Sequence, residues 1–185
     1  MPVTRTYLEM TSPAAFRPAW TGVVDVHVNQ VGDCPVSFYR YLYTEVGRSY
    51  GWADRLDWTD AGIRAHLAKP GVSLWVMWVR HAPAGYFELH REPDASVEIA
   101  YIGLLPDFVG RGLGKHLLSV AVERAWESGA CRLWLHTCSR DHPAALPNYL
   151  KRGFSPFKTE TLEPLINCHS RERGNPEPGP PLSRG

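Results

Sequence analysis

The stretch Val109–Leu118, VGRGLGKHLL, constrains this chain more than any other. Gly110, Gly112 and Gly114 alternate through it, and an apolar helical face follows at once: Leu113, Leu117, Ala121, Val122 and Ala125. Glycines at a helix start cost backbone entropy, so the backbone there has to do something a side chain would obstruct. The helix stops near Gly129, a residue type suited to a C-terminal cap. Apolar strand-like runs stand on either side, VEIAYIGLL before it and CRLWLHTC after it. Strand, helix and strand in that order and at that length predict a right-handed crossover between parallel strands. A glycine turn opening such a helix presents converging N–H groups at the positive end of the helix dipole, which is a seat for an anion.

The rest of the chain reads as mixed α/β, with no internal repeat. Strand patterns are expected at Thr6–Met10 and, by alternation, at Thr21–Gln30. Helices are expected over Cys34–Gly47, with Asp33 as N-cap, and over Trp58–Gly71, opening near Asp60 and stopped by Pro70–Gly71. Val72–Arg80 and Ala84–His90 read as strands around a turn at HAPA, and REPDAS turns the chain into Val97–Leu105. After Cys138 come a short helix ending at Gly153 and a last strand in FSPFKTETLE. Residues 1–169 are read as one domain. The Pro- and Gly-rich end from Ser170 to Gly185 is expected to be a disordered tail.

Composition narrows the function. The formal net charge is +1, so no strong field favours nucleic acid or anionic lipid. The longest apolar run, LWVMWV, is far too short to span a bilayer, and the start lacks the apolar core of a signal peptide. A cytoplasmic protein without nucleic-acid or membrane partners is expected. Cys34, Cys131, Cys138 and Cys168 have no paired or zinc-like spacing, so neither a disulfide nor a metal site is expected.

Two phosphate motifs fail. Walker A needs a hydroxyl after Gly-Lys and a glycine where Val109 stands, and here His116 follows Gly114–Lys115. The dinucleotide fingerprint puts a third glycine where Lys115 stands. VEIAYIGLLPDFVGRGLGKHLL instead resembles the acetyl-coenzyme A motif of the GNAT acyltransferase superfamily, with Gly112 and Gly114 at its two small positions. Val109 departs from the usual Gln/Arg, and Arg111 or Lys115 is left to compensate. NYLKRGF (148–154) resembles the second family signature, a Tyr five residues before the Phe of a Gly-Phe pair. The resemblance covers roughly residues 97–154.

This resemblance implies a central mixed, mostly antiparallel sheet with a splayed parallel strand pair, flanked by about four helices. It implies acetyl-CoA as co-substrate and an N-acetyltransferase acting by direct transfer to a primary amine of a small molecule or peptide. Amides from Val109, Gly110, Arg111, Gly112, Leu113 and Gly114 would hold the pyrophosphate, with Lys115 beside them. Ile102 N–H would face the thioester carbonyl, and the Leu104 backbone would hold the pantetheine. Deprotonating an amine of pKa about 10.4 needs a base. Glu98 matches the family glutamate, and its even spacing from Leu104 puts both on one face of an unbroken strand. Glu88 is the rival, and pairing it with Glu98 across the turn would raise one of the two pKa values. Tyr149 is the expected acid for the leaving thiolate. A covalent relay through Cys138, helped by His136 or His142, is the lesser alternative. Tyr39, Tyr43 and Trp52 are candidate walls of a pocket for a cationic amine, against the plainer reading of core packing. A non-catalytic coenzyme A-binding sensor or structural protein on the same fold stays open, as does a homodimer.

Overall fold

A computed structural model describes residues 2–162. The expected tail after Ser170 lies outside them. Among the described residues the strands are β1 (Val3–Met10), β2 (Val26–Val31), β3 (Val72–Val79), β4 (Ala82–Arg91), β5 (Ser96–Leu104), β6 (Arg132–Cys138) and β7 (Ser155–Leu162). The helices are α1 (Val36–Gly47), α2 (Asp60–Leu67), α3 (Leu113–Glu127) and α4 (Ala145–Lys151). The strands form one sheet in the order β2-β3-β4-β5-β6-β1-β7. Its pairs are antiparallel except β5–β6, the two strands that α3 joins. The mixed α/β class and the splayed parallel pair are those expected.

Local chemistry explains where boundaries differ. β2 starts only at Val26, because Asp25 turns left-handed at φ 58° and ends the earlier run. α1 begins after Pro35 and not after Asp33. Pro35 holds an extended ψ of 137°, and its carbonyl accepts the first helical bond, from Tyr39 N–H at 3.0 Å. The β3–β4 turn is tighter than HAPA suggested. Arg80 and His81 both take positive φ, 48° and 64°, as a two-residue hairpin turn requires. Thr59 caps α2 by accepting from Gly62 N–H at 3.1 Å.

Two apolar layers clamp the sheet. On one side α3 buries Leu113, Leu117, Leu118, Ala121 and Val122 against Leu8, Phe87, Val97, Ile99, Leu133 and Leu135. Each such leucine contributes roughly 1.5–3 kcal/mol. On the other side α1 and α2 bring Tyr39, Leu42, Tyr43, Val46 and Ile63 onto Leu74, Val76, Tyr86 and Tyr101. Alternation along each strand sorts the side chains between these layers. One irregularity matters for the site. Glu88 pairs with Tyr101 and Leu89 with Ile99, so Ala100 is an extra residue, a bulge in β5.

Candidate active site

The site begins where β5 and β6 part. Their register runs only from Ser96↔Arg132 to Glu98↔Trp134, although β5 continues to Leu104 and β6 to Cys138. Leu105 N–H donates to Ala84 O at 2.9 Å, toward β4. Amide directions alternate along a strand, so Leu104 and Ile102 aim their N–H groups at the opposite edge, into the gap. A cleft of about 610 Å³ fills that gap, within the range of small-molecule sites. Its wall includes Ile99–Leu104, the glycine turn and, around α4, Ala144, Ala145, Asn148, Tyr149, Lys151 and Arg152.

The glycine turn meets the same cleft. Gly110 and Gly112 have φ of 82° and 70°, a region L-residues avoid. Gly112 is the N-cap of α3, and no side chain caps that terminus. The first amides of α3 are therefore left for a ligand. Val109, Gly110, Gly112, Gly114 and Lys115 line the cleft. Leu113 is fully buried in the α3 core, so only its amide faces the turn. Arg111 departs from expectation: its guanidinium lies over the Phe108 ring at 5.1 Å, outside the cleft wall. Lys115, Lys151 and Arg152 are the cations along the wall. A Cβ at Gly103 would run into Val46 Cγ1, so this glycine lets α1 approach β5.

Tyr149 of α4 lines the cleft and is otherwise buried. Burial first, then the Asp141 charge, raises its pKa and keeps the phenol protonated. Asn148 Nδ2 donates to Gly114 O at 3.2 Å and ties α4 to the first turn of α3. That tie went unread in the sequence.

Neither glutamate sits where parity placed it. Across the β4–β5 turn Glu98 pairs with His90, not with Glu88. The Ala100 bulge reverses the alternation, so Glu98 lies on the face opposite Val97 and Ile99 while Leu104 packs with the α3 core. Glu98 is fully buried and outside the cleft wall. Its Oε1 stands 3.9 Å from Nδ1 of His136, which does line the cleft.

Glu88 is also fully buried, in an ion-pair cage. Arg55 spans it with two hydrogen bonds, Nη1 to Oε2 at 2.9 Å and Nη2 to Oε1 at 3.0 Å. Tyr39 OH donates to Oε2 at 3.1 Å, His66 Nε2 to Oε1 at 2.9 Å, and His90 Nε2 also bonds Oε1. Burial alone would raise the Glu88 pKa. The Arg55 charge, then the hydrogen bonds from His66 and His90, more than offset that and hold it well below the usual carboxylate range. The expected upward shift is thus reversed, and Glu88 is a weak base. His66, Glu88 and His90 also bring three ligand-type atoms together, but Arg55 places its positive charge where a cation would have to bind.

Trp52 lines the cleft beside Tyr50 and Tyr101. Tyr39 and Tyr43 do not: they are 1% and 2% exposed, Tyr39 bonded to Glu88 and Tyr43 OH donating to Asp54. Their shared helix face is the core face. Cys138 is disulfide-bonded, contrary to expectation, which removes it as a nucleophile. Sequence reading also missed the strap before β2. Ala19 lines the cleft and is held by Ser119, whose Oγ accepts from Ala19 N–H at 2.9 Å. The signal available was a serine buried on an otherwise apolar helix face.

A family model described as the acetyltransferase (GNAT) family matches residues 37–154. No curated protein matches the chain. Among solved structures, the chain is similar to a GCN5-related N-acetyltransferase from Kribbella flavida, at 18% identity and a TM-score of 0.62, over 85% of this chain and 56% of that one. A second, from Sphaerobacter thermophilus, aligns at 15% identity and a TM-score of 0.64, over 92% and 55%. The ribosomal-protein-S18-alanine N-acetyltransferase of Escherichia coli aligns at 15% identity and a TM-score of 0.55, over 70% and 77%. The chain thus spans little more than half the length of the first two. Among the described residues no helix is long and apolar enough to cross a membrane.

Proposed function

Because this chain belongs to the acetyltransferase (GNAT) family, we propose that it moves an acetyl group from acetyl-CoA to a primary amine of a small molecule or peptide, in a ternary complex. The observation that carries the reading is one cleft joining two sets of main-chain donors. These are the β5 edge amides of Ile102 and Leu104 and the uncapped N-terminus of α3. Acetyl-CoA fits both: its diphosphate suits the α3 amides with Lys115, Lys151 and Arg152 alongside, and its amide-bearing arm suits a strand edge. Bound there, it supplies an activated acyl carbon and a sulfur leaving group.

The chain's own residues then do three things. Ile102 N–H, set in a fixed strand, stabilises negative charge developing on the acyl oxygen. Tyr149 donates its phenolic proton toward the departing sulfur and is reprotonated from the reacting nitrogen. Trp52, Tyr50 and Tyr101 wall the acceptor end and favour an amine that carries an apolar or aromatic group. In balance, a C–N bond replaces a C–S bond, and the ammonium loses two protons, one to the thiol and one to solvent through a base.

Thermal shift with acetyl-CoA, coenzyme A, ATP and NAD, followed by thiol release with a panel of amines, tests this. Stabilisation by the two coenzyme A species and amine-dependent thiol release are expected. Stabilisation without release by any amine would favour the non-catalytic coenzyme A-binding alternative. Stabilisation by ATP or NAD alone would remove both.

A further inference from the structure

We propose that the proton acceptor of this site is the imidazole of His136, with the buried carboxylate of Glu98 as its positioning residue. The inference rests on the amine-acetyltransferase reading above. It starts from the divergence of β5 and β6. Glu98 and Trp134 are the last paired positions, and His136 is two residues further along β6, on the same face as Trp134. Leu133 and Leu135 pack with α3, so Trp134 and His136 turn to the side that Glu98 also faces. The imidazole forms part of the cleft wall together with Tyr149 and Ile102, and Glu98 stays behind it.

The ring is held on two sides. Its Nδ1 faces Glu98 Oε1 at 3.9 Å, an ion-pair distance. On β1, Tyr7 is its cross-strand partner, with ring centroids 5.7 Å apart and planes tilted 48°. Tyr7 is itself fixed: its OH donates to Glu160 Oε2 at 3.0 Å and accepts from Arg5 Nη1 at 3.2 Å, and Lys158 Nζ lies 5.2 Å from its ring. Toward the cleft, the titratable and charged groups sharing the wall with His136 are Asp141, His142, Tyr149, Tyr50 and Tyr101 and the cations Lys115, Lys151 and Arg152. With Nδ1 on the carboxylate side, Nε2 is the nitrogen on the far edge of the ring.

The step balances simply. An N–H bond of the acceptor ammonium breaks, its electron pair stays on nitrogen, and the proton forms a new bond to His136 Nε2. The imidazolium charge then sits opposite Glu98, and the proton leaves to solvent through the cleft mouth. An imidazole, with an ordinary pKa of about 6.5, exchanges protons near neutrality far better than a carboxylate. Glu88, caged by Arg55, offers no such group to the cleft.

The experiment is the pH dependence of kcat/KM by thiol release, for the wild type, His136→Gln and Glu98→Gln, with acetyl-CoA binding followed by thermal shift. Wild-type rates are expected to rise through one ionisation at about pH 6–7. His136→Gln is expected to lose that ionisation and about 100-fold in turnover, while acetyl-CoA still stabilises it. Glu98→Gln is expected to keep the ionisation but move it to lower pH, because the imidazolium loses its counter-charge. A merely structural role for Glu98 would leave the midpoint where it was. A His136→Gln enzyme with wild-type rate and profile overturns the dyad and leaves the acetyltransferase reading intact; no thiol release from the wild type overturns that reading itself. Should His136→Gln fail to fold, His136→Asn gives the same readout. A wild-type profile flat between about pH 6 and 8 overturns the proposal without any variant.

Discussion

Glu88→Gln separates a structural carboxylate from a catalytic one. Glu88 is fully buried, and Arg55, 3% exposed, has its guanidinium held by that carboxylate and enclosed by the rings of Tyr101 and Trp58 at 4.3 and 4.8 Å. Removing the negative charge leaves the guanidinium buried without its counter-ion. Breaking one partner of such a pair costs about 3–5 kcal/mol. For a domain of this size each kcal/mol lowers Tm by about 2–4 °C, so a fall of roughly 6–20 °C is expected. The assay is a thermal melt repeated from neutral pH downward. The folded pKa of Glu88 lies below its unfolded value of about 4.3, so its contribution is complete above that pH and lost as pH falls through the folded value. The wild type should lose Tm steeply in acid, and the variant should lose less because that ionisation is gone. Turnover below the melting range should change little. A variant with wild-type Tm but abolished turnover would refute the reasoning and restore Glu88 as a base.

Three further outcomes follow from the same geometry. Gly112→Ala puts a side chain at φ 70°; it should cost about 1–2 kcal/mol of stability and weaken coenzyme A binding measured by calorimetry. Tyr149→Phe removes the phenol from the cleft and should lower kcat about 100-fold or more with KM for acetyl-CoA preserved; equal kcat would remove Tyr149 as the acid. Gly103→Ala drives a methyl onto Val46 and should lower stability by about 1–3 kcal/mol, read from denaturant unfolding; an unchanged midpoint would contradict the packing of α1 on β5.

What the sequence revealed was mostly local. Alternating glycines before an apolar helical face specified the turn, the helix and the flanking parallel strands, because positive φ and helix periodicity are properties of short segments. Tyr149 came from a motif of the same kind. The face of Glu98 was not legible, since one extra residue at Ala100 reverses every side chain beyond it and no pattern in VEIAYIGLL marks the bulge. The Glu88 cage was hidden for another reason. Its partner Arg55 lies 33 residues away on a loop, and only the closed sheet brings them together. Tyr39 and Tyr43 share a helix face as their spacing required, but periodicity cannot distinguish a face turned to the core from one turned to a pocket.

A crystal structure of the protein saturated with coenzyme A is the most direct measurement of where the donor is held. Diphosphate oxygens should lie within about 2.7–3.2 Å of amides in the Gly110–Lys115 turn, with the pantetheine arm running beside Ile102 and Leu104. Coenzyme A seated away from that turn, or held by side chains with those amides still facing solvent, would contradict the account.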